Sequence, residues 1–66
     1  MKEYTNSQIR ELIAEHIHNS TDRKMVFRRL VDGCTFEQIS EEFQFDVKTV
    51  RKRVHKSENI LFQHID

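Results

Sequence analysis

The sequence predicts an all-α protein, a compact domain of four helices. Zero proline and a single glycine in 66 residues leave little material for hairpin turns. Glu, Lys, Arg, Gln, Ile and Leu, which favour helix, are abundant. The apolar residues also recur every three to four positions, the period of a helix that buries one face. Residues 1–66 are expected to form one domain, because no repeat, low-complexity run or linker interrupts them.

The first helix is expected over about residues 7–19. Asn6 or Ser7 is available to cap it, and Ile9, Leu12, Ile13 and Ile17 follow as one apolar stripe. Asn19-Ser20-Thr21 breaks the pattern. A second helix over about 22–32 is then capped by Thr21 or Asp22, with Met25, Val26, Phe27, Leu30 and Val31 as its core residues. Gly33 ends it, since glycine takes the left-handed conformation beyond a helix C-terminus without steric cost.

Thr35 opens a third helix over about 35–43, and Gln38 three residues on completes a capping box. Phe36, Ile39 and Phe43 face inward. Gln44-Phe45-Asp46 forms the turn, with Phe45 as a buried plug and Asp46 as the next N-cap. The fourth helix covers about 47–63 and turns Val50, Val54 and Leu61 to the core. The last two helices are short and tightly joined, as a C-terminal helix-turn-helix requires. Ser40, after the inward Ile39, supplies the small residue where two such helices cross.

Charge is sorted by helix. The chain is formally neutral, with 11 basic and 11 acidic residues. Yet Lys48, Arg51, Lys52, Arg53 and Lys56 fall between Val47 and Ser57 with no acid among them, whereas Glu37, Glu41 and Glu42 sit on the preceding helix. With Val50 and Val54 turned inward, the 3.6-residue period sends Lys52 and Lys56 outward, Thr49 and Lys48 beside them, and Arg51, Arg53 and His55 to the flanks. A helix with an apolar floor and a cationic roof can enter a major groove. Five cations on one helix are also what an ordinary solvated surface looks like. The coincidence with the outward face of the helix-turn-helix tips the reading toward double-stranded DNA.

These residues resemble the helix-turn-helix of sigma factor region 4 and its small standalone relatives in bacteria and mobile elements. The resemblance rests on Asp32-Gly33, Thr35-Phe36-Glu37, Ile39-Ser40-Glu41-Glu42-Phe43 and Thr49-Val50-Arg51, and it covers about Ile9 to Leu61. Gln44 departs from it, standing where many such units have glycine. Nothing corresponds to the other sigma regions that melt a promoter, so a complete sigma factor is not expected. The resemblance implies a transcription-regulator-type DNA-binding protein, with RNA polymerase as a possible second partner. Lys48, Thr49 and Lys52 are then the candidates for base edges. Arg51, Arg53, His55, Lys56 and Thr35 are the candidates for phosphates.

The competing reading is a protein-interaction module whose cationic helix grips an acidic partner such as polymerase or a toxin. Structured RNA is less favoured, because no aromatic residue is placed for stacking on the basic face. Ser, His and Asp are scattered over small helices, so no enzyme is expected. His16 and His18 lie two apart and point to different sides of a helix, and a lone Cys34 gives no paired ligand spacing. No metal and no cofactor are expected. Cys34 reads as a small packed residue in a reducing, cytoplasmic setting. No apolar run approaches the ~20 residues of a membrane span, and the start lacks a signal-peptide core. Ile60, Leu61, Phe62 and Ile65 load the end with apolar surface. Leu61 and Ile65 are expected to fold back on the first helix, while Ile60 and Phe62 are candidates for a homodimer contact.

Overall fold

Four helices account for the regular structure of the computed structural model, which describes residues 4–64. They are α1 (Asn6–His16), α2 (Ser20–Leu30), α3 (Phe36–Phe43) and α4 (Val47–Phe62). The fold is all-α, with no strand among the described residues.

Each helix begins where a side chain can satisfy its free amides, and two starts differ from expectation. Thr5, rather than Asn6 or Ser7, caps α1. Its hydroxyl accepts from the Gln8 amide at 3.2 Å, and its own amide donates to Gln8 Oε1 at 2.9 Å. Asn19, rather than Thr21 or Asp22, caps α2, its carbonyl oxygen accepting from the amides of both Thr21 and Asp22. One Asn19 oxygen reaches two amides from that position, so α2 begins two residues earlier than predicted. Correspondingly α1 stops at His16, and Ile17 is already extended. The Arg23 guanidinium holds this junction by donating Nε to the Ile17 carbonyl and Nη2 to the Ala14 carbonyl at 3.1 Å, satisfying groups that the end of α1 leaves open.

Gly33 adopts φ +71 beyond α2, and the Cys34 amide donates back to the Arg28 carbonyl at 3.0 Å. The Thr35–Gln38 capping box of α3 forms as predicted, with 3.1 and 2.9 Å bonds. Between α3 and α4, Gln44 takes a left-handed conformation (φ 59, ψ 41). The Ser40 hydroxyl donates to the Phe45 carbonyl while the Phe45 amide donates to the Ser40 carbonyl, so one side chain and the backbone together close the turn. Phe45 is not a buried plug. With its backbone tied to Ser40 its ring stays 37% exposed, covered by the Arg53 guanidinium at 5.1 Å. Asp46 occupies the N-cap position of α4 but makes no side-chain capping bond.

The core has two parts joined by α4. Ile13, Ile17, Val26 and Leu61 form one, flanked by the half-buried Ile9, Leu12, Phe27, Leu30 and Ile60. Met25, Ile39, Val50 and Val54 form the other, and Cys34, Phe36 and Phe43 pack against it. Leu61 thus folds back onto α1 and α2 as expected, whereas Ile65 lies outside the described residues. The imidazoles of His16 and His64 stack at 3.7 Å, joining the end of α1 to the end of α4. No described helix is long and apolar enough to cross a membrane.

Candidate nucleic-acid interface

The rotation of α4 is fixed by what it buries. Val50, Val54, Ser57 and Leu61 follow at i, i+4, i+7 and i+11, and all four are buried. Ser57 had no place in the sequence-based core. At i+7 it falls on the same stripe, and its small side chain lets α4 lie close to its neighbours. The opposite side follows from this register. Lys48, Thr49, Arg51, Lys52, His55 and Lys56 are all exposed. Lys48, Arg51, Lys52, His55 and Lys56 share an open furrow of about 700 Å³ with Asn59, Ile60 and Gln63. The last three extend the stripe one turn beyond the segment Val47–Ser57 that the sequence singled out. Among the described residues, no carboxylate lies within 4 Å of the charged groups of Lys48, Arg51, Lys52 or Lys56.

Arg53 is placed differently. It is half-buried, with Nε 3.6 Å from Asp22 Oδ1 and its guanidinium over Phe45. The 100° step per residue that sends Lys52 to the outside turns Arg53 toward α2 and the turn, where it finds a carboxylate. At 3.6 Å the pair is an ionic contact without a hydrogen bond, and Asp22 Oδ1 has no other polar partner. Arg53 therefore serves the packing of α4 and does not belong to the outward stripe.

The flank of α4 nearest α3 is built around Phe36. The Arg51 guanidinium lies 5.7 Å from its ring centre, and the His55 ring is tilted against it at 5.7 Å. Arg29, from α2, reaches the same ring at 4.4 Å. Sequence reasoning missed Arg29, because Arg28 and Arg29 are indistinguishable as adjacent helix cations. The structure separates them. Arg28 donates to Asp32 at 2.8 Å and to Glu42 at 3.2 Å, and these hydrogen bonds, Asp32 first, raise its pKa further above its ordinary value. Arg29 instead donates Nη1 to the Cys34 carbonyl at 3.1 Å. Thr35 is exposed beside this group, its hydroxyl oxygen engaged by the Gln38 amide.

Of the acids of α3, Glu42 pairs with Arg28, Glu41 is exposed, and Glu37 is exposed beside Arg51 without coming within 4 Å of its guanidinium. Among the described residues, the outward stripe of α4 thus carries a row of cations without ion-pair partners, on a chain with no formal net charge. A surface of this kind suits a spaced array of anions better than a single small ligand. No family model, curated protein or solved structure matches the chain.

Proposed function

We propose that the protein is a sequence-specific double-stranded DNA-binding protein of transcription-regulator type, acting in the cytoplasm and inserting α4 into the major groove. The supporting observation is the exposed row Lys48–Thr49–Arg51–Lys52–His55–Lys56, opposite Val50 and Val54, which are fully buried. A helix held by its floor presents its roof without having to order first, which keeps the entropic cost of binding low. Lys52, Lys48 and Thr49 read base edges. Arg51, His55 and Lys56 hold phosphates, and Thr35 adds a hydroxyl at the start of α3. In this reading α3 and α4 act as a helix-turn-helix, and the resemblance to sigma factor region 4 is one of function as well as pattern.

The test is the double variant Lys52→Glu with Lys56→Glu. Both residues are exposed, so helical content and melting temperature stay near wild type while affinity for a duplex selected from random oligonucleotides is lost. Retained binding at moderate salt removes α4 from the groove. Wild-type affinity falls with salt at a log–log slope near −0.9 for each phosphate neutralised.

A second reading has its own observation. Ile60 lines the same furrow as the cations, and Phe62, at the end of the same helix, is 55% exposed. Apolar side chains at the end of the basic helix suit a protein partner, either RNA polymerase or a second copy of the chain, and a dimer would read two half-sites. Sedimentation with and without DNA separates these. A monomer that binds an acidic protein and shows no steep salt dependence with DNA favours the interaction module.

A further inference from the structure

We propose that Arg29 and Arg51, gathered on the Phe36 ring, form a clamp for one backbone phosphodiester at the edge of the α4 stripe. The proposal rests on the DNA-binding reading and assigns a contact to α2. The two guanidinium groups lie 4.4 and 5.7 Å from the centre of the same ring, and with Thr35, Glu37 and Val47 they line a recess of about 240 Å³.

Two cations sharing one aromatic ring is an unusual economy of stabilisation. The ring quadrupole attracts each of them, but does nothing to reduce their mutual repulsion. Surface arginines commonly relieve such crowding by pairing with a carboxylate, as Arg28 does with Asp32 and Glu42. Among the described residues, no carboxylate comes within 4 Å of either the Arg29 or the Arg51 guanidinium, although Glu37 lines the recess.

What the ring does provide is orientation. A guanidinium stacked on an aromatic face is held in a plane, and its edge N–H groups are then set to meet two oxygens of one anion. Arg29 is fixed a second time by its bond to the Cys34 carbonyl, which uses one of its five N–H groups and leaves the others for a ligand. The first turn of α3 opens on the same recess through Thr35 and Glu37, and an anion is favoured there over a cation.

The identity of the anion follows from where the recess lies. Arg51 lines both it and the furrow along α4. An anion seated between Arg29 and Arg51 therefore sits beside whatever fills that furrow. A duplex whose major groove receives α4 carries its phosphates along the groove edge, and a singly charged phosphodiester fits two guanidinium groups opposed by one carboxylate.

The experiment uses the full chain and a duplex selected from random oligonucleotides, compared with a scrambled duplex of equal length. Arg29→Gln removes the charge and gives up the bond to the Cys34 carbonyl, a single half-buried contact, so the fold, checked by circular dichroism, is retained. Its affinity is expected to fall roughly five- to tenfold at 0.1 M salt, equally for both duplexes, with the salt slope flatter by about 0.9. Arg29→Lys keeps the charge and the slope but recovers only part of the affinity. Combined with Arg51→Gln, the loss is smaller than the product of the single losses, because both side chains hold one phosphate.

An Arg29→Gln protein with unchanged affinity and slope, in a background where Lys52→Glu with Lys56→Glu abolishes binding, overturns the clamp and leaves α4 in its groove. A loss confined to the selected sequence overturns it too, since a phosphate contact carries no sequence information. Failure of the wild type to bind any duplex overturns the DNA reading itself.

Discussion

The two halves of the core differ in how completely they are sealed. Met25, Ile39, Val50 and Val54, which join α2, α3 and the first half of α4, are all 0% exposed. In the half that joins α1, α2 and the end of α4, Ile13, Ile17 and Leu61 retain 2–4% exposure, and five more apolar side chains around them are only half-buried. The tighter half lies under the cations and the looser half under the apolar end of the chain. Burial is thus most complete where α4 presents its positive stripe, and α1 packs on the far end of the same helix. This arrangement holds a 16-residue helix along its whole length with few residues.

Breaking the tighter half has the largest expected effect. Val50→Asp, or Ile39→Asp, places a carboxylate where no partner exists, at a cost of several kcal/mol. A domain of this size has roughly 3–10 kcal/mol of stability in total. The expected outcome is a chain without cooperative unfolding in circular dichroism, equally so for either residue. A folded variant with a normal melting transition would show that the sealed half is dispensable.

The looser half predicts a smaller loss. Leu61→Ala removes the residue that ties the end of α4 to Ile13, Ile17 and Val26, and large-to-small changes at such sites cost about 2–5 kcal/mol. The lower part of that range is expected, because half-buried neighbours can collapse into the space. The signature is regional: amide exchange of α1 accelerates more than that of α3 and the first half of α4. Uniform acceleration would mean that the two halves form one indivisible unit, and the comparison between them would lose its force.

How much of this was legible in the sequence depended on whether one residue type had a rival nearby. The four helices and the inward stripe Val50, Val54, Leu61 followed from periodicity, since nothing else explains apolar residues at that spacing. The Thr35–Gln38 box was visible because it follows Gly33. The same signature at Thr5–Gln8 was missed, because Asn6 and Ser7 offer equally plausible caps and propensity does not rank them. At α2 the rivalry between Asn19, Thr21 and Asp22 was settled by reach, as one Asn19 oxygen serves two amides.

Phe45 misled because aromatic residues are usually buried, and the left-handed Gln44 that leaves its ring outside acts through backbone direction. For the α4 face, register located Lys48, Lys52 and Lys56. It could not show that Arg53 would meet Asp22, or that Arg29 would share a ring with Arg51, since those encounters join residues 31 and 22 positions apart in the chain.

The smallest expected effect tests the turn that sets α4 over the sealed half. Gln44 is the only described non-glycine residue with positive φ, and a side chain there costs about 1–2 kcal/mol relative to an ordinary conformation. Gln44→Gly removes that strain, but it also gives the unfolded chain more freedom, which offsets about half of the gain. The net stabilisation is therefore about 0.5 kcal/mol, a rise of a few degrees in melting temperature for a domain of this length. Because the Ser40–Phe45 bonds close the turn independently of the side chain at position 44, the angle between α3 and α4 is retained and, on the proposed DNA-binding reading, affinity for a duplex stays within twofold. A stabilised variant with sharply weaker binding would mean instead that the side chain at 44, and not the packing beneath Val50 and Val54, holds α4 at the angle the groove requires.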